Sequence, residues 1–265
     1  MSECAIKLYW LGNVAKTRIV LEVLEKSSGT APITIFDYGC GDGGDWPSIL
    51  RDHPRLRLVA FEPGADSFGK AVKRLAGCDA EILTGDAMST LDISADYIVS
   101  FSVFEHVVDP DLFLRHAKRI LAPGGCFYLN YDDGHFRNVL NLAEPGTWLP
   151  ALRARLRTLV SPALAGMGRE ADYQQRVDAA VADRRVFEHG FAIERVDYHN
   201  LLSLKELVKT IPDSQREMFS RWWLEVELAL NRQFRYRLDD ERYGDHVNLS
   251  RQMLSRTLCL RHRPA

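Results

Sequence analysis

Twelve residues near the start of the chain, Ile33-Thr34-Ile35-Phe36-Asp37-Tyr38-Gly39-Cys40-Gly41-Asp42-Gly43-Gly44, constrain the fold more than any others. Ile33–Phe36 is short, apolar and β-branched, as buried strands are. It runs through Asp37 into a turn in which Gly39, Gly41 and Gly44 hold the spacing G-x-G-x-x-G. Glycine there permits a sharp strand-to-helix turn and lets a ligand lie against bare backbone, although a tight turn without a ligand would use the same residues. The pattern then alternates. It predicts a helix near 45–52, a strand at Leu56–Phe61, a helix at 65–76 and strands at Ala80–Leu83 and Tyr97–Phe101. Asp109-Pro110 opens a further helix at 111–121, with proline where helices accept it. Pro123-Gly124-Gly125 stops that helix and feeds a strand at Cys126–Tyr131. Strands and helices alternating at this spacing imply right-handed βαβ units and a doubly wound, mostly parallel sheet.

The flanks divide the chain into three parts. Residues 1–30 read as a lead-in helix, with Leu8, Leu11, Ile19, Val20, Val23 and Leu24 at mostly helical spacing. Residues 31–131 form the α/β core. Residues 132–265 add helical insertions, with short strands at Phe191–Val196 and Thr257–Leu260 and two helices divided near Ile211-Pro212. The insertions are expected to build a substrate lid or homodimer contacts.

Composition narrows the function classes. A chain of 265 residues with 46% apolar side chains can bury a sizeable core without disulfide or metal staples. Its formal net charge of −2 argues against a dedicated nucleic-acid binder. Residues 1–150 carry 14 basic and 20 acidic side chains, and residues 151–265 carry 20 and 16. That excess suits an anionic substrate or an ordinary Arg-rich surface. The cysteines Cys4, Cys40, Cys78, Cys126 and Cys259 are scattered, without a C-x-x-C pair or zinc spacing. Such usage fits a reducing cytoplasm and predicts no metal site. With no apolar run near the roughly 18–20 residues that span a bilayer, the chain reads as soluble, cytoplasmic and free of membrane partners.

Two ligand classes compete for the glycine turn. A dinucleotide would place its pyrophosphate at the helix N-terminus, where free N–H groups favour anions. Here Asp37, Asp42 and Asp45 surround that terminus. Negative charge opposes a pyrophosphate but suits the ammonium and sulfonium of S-adenosylmethionine.

The residues also resemble a known family. Ile35-Phe36-Asp37-Tyr38-Gly39-Cys40-Gly41-Asp42-Gly43 is similar to the first motif of the class I S-adenosylmethionine-dependent methyltransferases. Ala60-Phe61-Glu62-Pro63 resembles the acidic end of the second strand, which implies a Glu62 carboxylate on both ribose hydroxyls. Gly85-Asp86-Ala87 resembles the loop whose Asp receives the adenine amino group. Asp96-Tyr97-Ile98-Val99-Ser100-Phe101-Ser102-Val103-Phe104-Glu105-His106-Val107 resembles the fourth strand and the loop under the methionine part. Leu121-Ala122-Pro123-Gly124-Gly125 matches the turn before the fifth strand. The resemblance spans about residues 33–131. It implies a Rossmann-like seven-stranded sheet whose last strand, around Thr257–Leu260, runs antiparallel. The implied cofactor site is Asp37, Gly39, Cys40, Gly41, Glu62, Pro63, Asp86, Ala87, Phe101 and Ser102.

Methyl transfer from a sulfonium is an in-line displacement needing alignment, exclusion of water and, for some acceptors, a base. His135, beyond the fifth strand in Tyr131-Asp132-Asp133-Gly134-His135, has an unperturbed pKa near neutrality and is the candidate base, or else an exposed loop histidine. His106, Tyr131 and Asp132 are candidate substrate contacts. Glu105-His106 departs from the Glu-x-x-Glu-His pattern of metal-binding relatives, because Ser102 stands at the first Glu position. His189, Tyr198 and His199 flank the sixth strand and read as pocket wall or ordinary packing. Trp222-Trp223 reads as core or dimer packing. Tyr9, Trp10 and Arg18 are placed to close over the cofactor, with Arg18 on its carboxylate. The expectation is methyl transfer to an oxygen or nitrogen of a small-molecule acceptor, a specialised metabolite or a glycan-type molecule. A dinucleotide-dependent oxidoreductase and a non-catalytic cofactor-binding protein are the alternatives.

Overall fold

In a computed structural model of the protein, the described residues are 12–27, 29–132, 177–201, 210–238 and 253–264, with the single positions 156, 160, 175, 204 and 207. The strand at Ile33–Tyr38 (β1) is buried on both faces, as its mostly apolar sequence suits. It pairs in parallel with Leu56–Phe61 (β2) on one side and Ala95–Phe101 (β4) on the other, and β2 pairs with Ala80–Leu83 (β3). Leu121–Asp132 (β5) continues the sheet beyond β4. Next comes Met253–His262 (β7), antiparallel to β5, and then Phe191–Leu201 (β6) at the edge, antiparallel to β7. The order is β3-β2-β1-β4-β5-β7-β6. Chain progression reverses between β1 and β4, and that switch point is where open α/β sheets bind ligands.

Alternation of side chains sorts the core into two layers. Phe36, Ile98, Phe127, Leu129 and Leu258 pack against Phe113, Leu114 and Ala117 of the helix Pro110–Ile120, with Ala182 and Val186 of Ala179–Glu188 beyond. Ile35, Leu58, Ala60, Val99 and Tyr128 pack on the opposite face. That face is covered by the helix Gly12–Lys26 (α1), by Trp46–Asp52 and by Ala65–Arg74. The Asp109 side chain accepts the Leu112 N–H at 2.9 Å, so Asp109-Pro110 caps its helix as the sequence implies.

Three sequence readings need adjustment. β5 begins at Leu121, but its ladder jumps from Ala95↔Leu121 to Tyr97↔Cys126, so Ala122–Gly125 bulge out as the expected turn. β6 does not stop at Val196. It continues through Asp197, His199 and Asn200, all buried, where Asp197 accepts from Arg195, His199 stands 3.7 Å from Glu227 and the Asn200 N–H donates to Glu227. A short helix at Ala87–Thr90 occupies a stretch between Leu83 and Tyr97 to which the sequence reading assigns no element. The predicted break at Ile211-Pro212 is followed by a 3₁₀ turn at Asp213–Gln215 and the long helix Arg216–Leu238. The lead-in helix is described from Gly12 onward, so Leu8, Tyr9, Trp10 and Leu11 lie outside the described residues.

Candidate active site at the sheet switch point

The glycine turn is tied to β2 by its backbone: the N–H groups of Gly39 and Cys40 both donate to the Phe61 carbonyl, at 2.8 and 3.1 Å. Gly39 has φ +91°, and a Cβ there would lie 2.5 Å from Val103 Cγ2, so this position admits only glycine. Gly41, at φ +61°, has nothing within 4 Å of a Cβ and leaves the crevice open. The Glu62 carboxylate spans the turn, accepting the Gly41 N–H at 2.9 Å and the Gly64 N–H at 2.8 Å. Pro63 follows, exposed at the rim. Ahead of the next helix, Asp42 accepts the Gly44 N–H at 3.1 Å and pairs with Arg74 at 2.6 Å. Slight burial opposes ionisation of Asp42, yet the Gly44 N–H and Arg74 hold its carboxyl below the usual range.

Asp37 ends the apolar run at the floor of the crevice and is 1% exposed. Trp46 Nε1–H donates to Asp37 Oδ2 at 2.5 Å, and Lys16 Nζ stands 4.0 Å from the same oxygen. Oδ1 is buried and without a hydrogen-bond partner. Burial pushes the Asp37 pKa up, against the pull of Lys16 and the Trp46 bond. The Lys16 ammonium lies 5.3 Å from the Trp46 and Phe101 ring centroids, within cation–π range of both. Cys40 is buried beside Asp37 and Glu62, and burial first, then those charges, drive its thiol pKa far up. It is packing rather than a nucleophile.

On the far side, Gly85 at φ +60° turns the chain so that the exposed Asp86 heads Ala87–Thr90, its side chain making no cap bond. Ala87 is half-buried behind it. Phe101 ends β4, and Ser102 follows with φ +53°, its N–H donating to the Asn130 carbonyl at 3.2 Å. A serine in the left-handed region is strained and marks a position fixed by its surroundings. The turn Phe104–His106 then leaves His106 exposed.

The expected substrate contacts fare differently. Tyr131 is 2% exposed, and its hydroxyl accepts from Arg256 Nη1 at 2.6 Å while Arg256 forks onto Asp183 at 2.7 and 2.9 Å. Burial pushes its phenol up to about 12. Tyr131 is thus built into the wall. Asp132 ends β5 opposite Ser255. His135 and Asp133 lie outside the described residues. His189 Nδ1 meets the Arg185 carbonyl at 2.9 Å, closing its helix. His199 is fully buried, with Nδ1 3.7 Å from the Glu227 carboxylate, and burial lowers its pKa against the pull of Glu227. Trp223 is buried and donates to Glu227 at 2.6 Å, while Trp222 is 50% exposed.

Arg18 is a correction. Its guanidinium turns away from the crevice and pairs with the buried Asp197 of β6. Residues two apart on a helix point about 200° apart, so the cation on the crevice side is Lys16. Among the described residues no cluster of three metal-ligating side chains occurs, and no helix is long and apolar enough to cross a membrane.

A seven-stranded sheet with a reversed last strand, and an acid-lined crevice at its switch point, is the architecture of class I S-adenosylmethionine-dependent methyltransferases. A family model described as a methyltransferase domain matches residues 13–227, and the chain belongs to that family. Among curated relatives, the ubiquinone biosynthesis O-methyltransferase of Chelativorans sp. (strain BNC1) is 30% identical over 143 residues, covering 49% of this chain and 54% of that protein. The trans-aconitate 2-methyltransferase of Acidovorax ebreus (strain TPSY) is 28% identical over 148 residues, covering 53% and 56%. The chain thus spans about half the length of these relatives. The cyclopropane synthase MmaA2 from Mycobacterium tuberculosis shares the fold, with a TM-score of 0.53 at 18% identity over 93% of this chain and 84% of that one.

Proposed function

We propose that the protein transfers a methyl group from S-adenosylmethionine to an oxygen or nitrogen of a small-molecule acceptor. The observation that carries this reading is the occupancy of the turn's backbone donors. The Gly41 N–H is held by Glu62 and the Gly44 N–H by Asp42, so the groups a dinucleotide pyrophosphate would need are already capped by carboxylates. A cationic donor meets favourable charge in the same place.

The residues fit that donor. Glu62 keeps acceptor capacity beyond its two backbone bonds, which suits a ribose diol. Asp86, exposed and uncapped, is free to take the adenine amino group. The orphaned Asp37 oxygen suits an ammonium, and Lys16 beside it suits a carboxylate, so the two ends of an amino acid find opposite charges. Gly39, Gly41, Cys40, Pro63, Ala87, Phe101 and Ser102 supply bare backbone and apolar walls between those poles. When bound, the donor supplies an electrophilic methyl on a good leaving group. The chain then has to hold the acceptor in line, exclude water and remove a proton from the acceptor hydroxyl or amine. His135, three residues beyond β5, is the base we assign, with Asp132 orienting the acceptor. The named activities of the curated relatives, on a quinone precursor and on an organic acid, support a small-molecule acceptor.

Calorimetric titration with S-adenosylhomocysteine tests the reading. Saturable binding with no heat from NAD+ or NADH is expected, and binding of a nicotinamide dinucleotide instead would replace it with the oxidoreductase.

A further inference from the structure

Outside the crevice, a chain of buried charges ties α1 to the far side of the sheet. Arg18 on α1 pairs with Asp197 on β6, with only 5% and 0% of their side chains exposed. Arg195 on the same strand donates through Nε to that Asp197 carboxylate at 2.7 Å and forks onto Glu22 of α1 at 2.8 and 2.5 Å. Glu22 also accepts from the Tyr128 hydroxyl at 3.2 Å and pairs with Lys26 at 2.7 Å. Arg18, Glu22 and Lys26 are four residues apart and form one stripe of the helix.

Such a cluster is a poor source of stability, since desolvation offsets most of the attraction and apolar packing would serve as well. Ionic contacts are directional, however, and fix register where apolar ones do not. The sheet-facing residues Ile19, Val20 and Val23 would tolerate a slide of α1 along the sheet. One helical turn, about 5.4 Å, would carry Lys16 away from Asp37. The paired guanidinium and carboxylate groups forbid that slide. The stripe carrying the charges and the side carrying Lys16 belong to one rigid helix, so pinning the first places the second.

We propose that Arg18, Asp197, Arg195 and Glu22 are positioning residues that set the axial register of α1, and thereby hold the Lys16 ammonium where it meets the donor's carboxylate. The proposal rests on the donor reading above. None of the four touches the crevice.

Comparison of two ligands by calorimetry tests it. S-adenosylhomocysteine carries the amino-acid end, whereas 5′-methylthioadenosine keeps the adenosine and thioether without it. Lys16→Met is expected to weaken S-adenosylhomocysteine by about tenfold or more, as loss of a charge-assisted contact does, and to leave methylthioadenosine unchanged. Asp197→Asn is expected to shift the first ligand in the same direction and spare the second. In the Lys16→Met background it should have no further effect, because it acts through Lys16. A merely structural role would weaken both ligands together. If Asp197→Asn does not fold, the paired Arg18→Met, Asp197→Leu variant removes both charges at once and takes its place. Wild-type preference for S-adenosylhomocysteine in the Asp197 variants would overturn the proposal, as would equal weakening of both ligands. A wild-type protein that binds neither ligand would overturn the donor reading itself, an outcome distinct from the other two.

Discussion

The crevice carboxylates and the carboxylates of the α1–β6 cluster use the same chemistry for opposite ends. Glu62 leans on two backbone N–H groups and Asp86 on none, so both keep acceptor capacity for something else. Glu22 and Asp197 are enclosed by guanidinium groups. Burial opposes their ionisation, but Arg195 and Lys26 bring Glu22 down to about 2, and Arg18 and Arg195 hold Asp197 well below the usual range. Positive φ angles occur in both regions, at Gly39, Gly41, Gly85 and Ser102 around the crevice and at Asn200 on β6. Glu62 and Asp86 sit in loops and keep acceptor capacity, whereas Glu22 and Asp197 sit in regular elements and meet arginine side chains.

The largest expected effect comes from Gly39→Val. A side chain there meets Val103 and sits at φ +91°, so the substitution should cost about 2–4 kcal/mol in urea unfolding and abolish S-adenosylhomocysteine binding. Wild-type stability and affinity would show that the turn is not the ligand cradle.

Acid separates the two groups of carboxylates next. A carboxyl whose pKa is lower in the folded state stabilises it above the unfolded value and stops doing so as pH falls through the folded value. Glu22 should therefore contribute fully above its ordinary 4.5 and lose that contribution towards about 2. The urea midpoint of the wild type should fall across that window, and Glu22→Gln should flatten the fall. An unchanged slope in the variant would remove Glu22 from the cluster.

Glu62→Ala sharpens the contrast from the other side. Loss of charge-assisted hydrogen bonds should weaken S-adenosylhomocysteine by about 1–3 kcal/mol in calorimetry, and unaltered affinity would take Glu62 out of the site. The smallest effect is Ser102→Gly. Relief of the left-handed serine should raise stability by about 0.5–1 kcal/mol, and a loss of stability would mean that the hydroxyl does more than the strain costs.

Legibility in the sequence follows the same division. The parallel core could be read because its strands are short, mostly apolar segments separated by turn residues, and because Asp37 and Glu62 stand at the ends of the first two. The α1–β6 cluster could not. Asp197, His199 and Asn200 interrupt the apolar pattern of β6, and only tertiary partners explain why the strand continues through them. Arg18 and Lys16 are two residues apart, and which of them meets the crevice depends on how α1 is rotated on the sheet. Tyr131 read as a substrate contact because it ends β5, but Arg256 and Asp183, distant in sequence, claim its hydroxyl.

A crystal structure with S-adenosylhomocysteine bears most directly on the central claim, that carboxylates at the switch point receive a sulfonium donor rather than a pyrophosphate. The account predicts the ribose hydroxyls on Glu62, the adenine amino group at Asp86 and the amino-acid carboxylate at Lys16. Density for the ligand elsewhere, or a nicotinamide dinucleotide with its phosphates against Gly41 and Gly44, would contradict it.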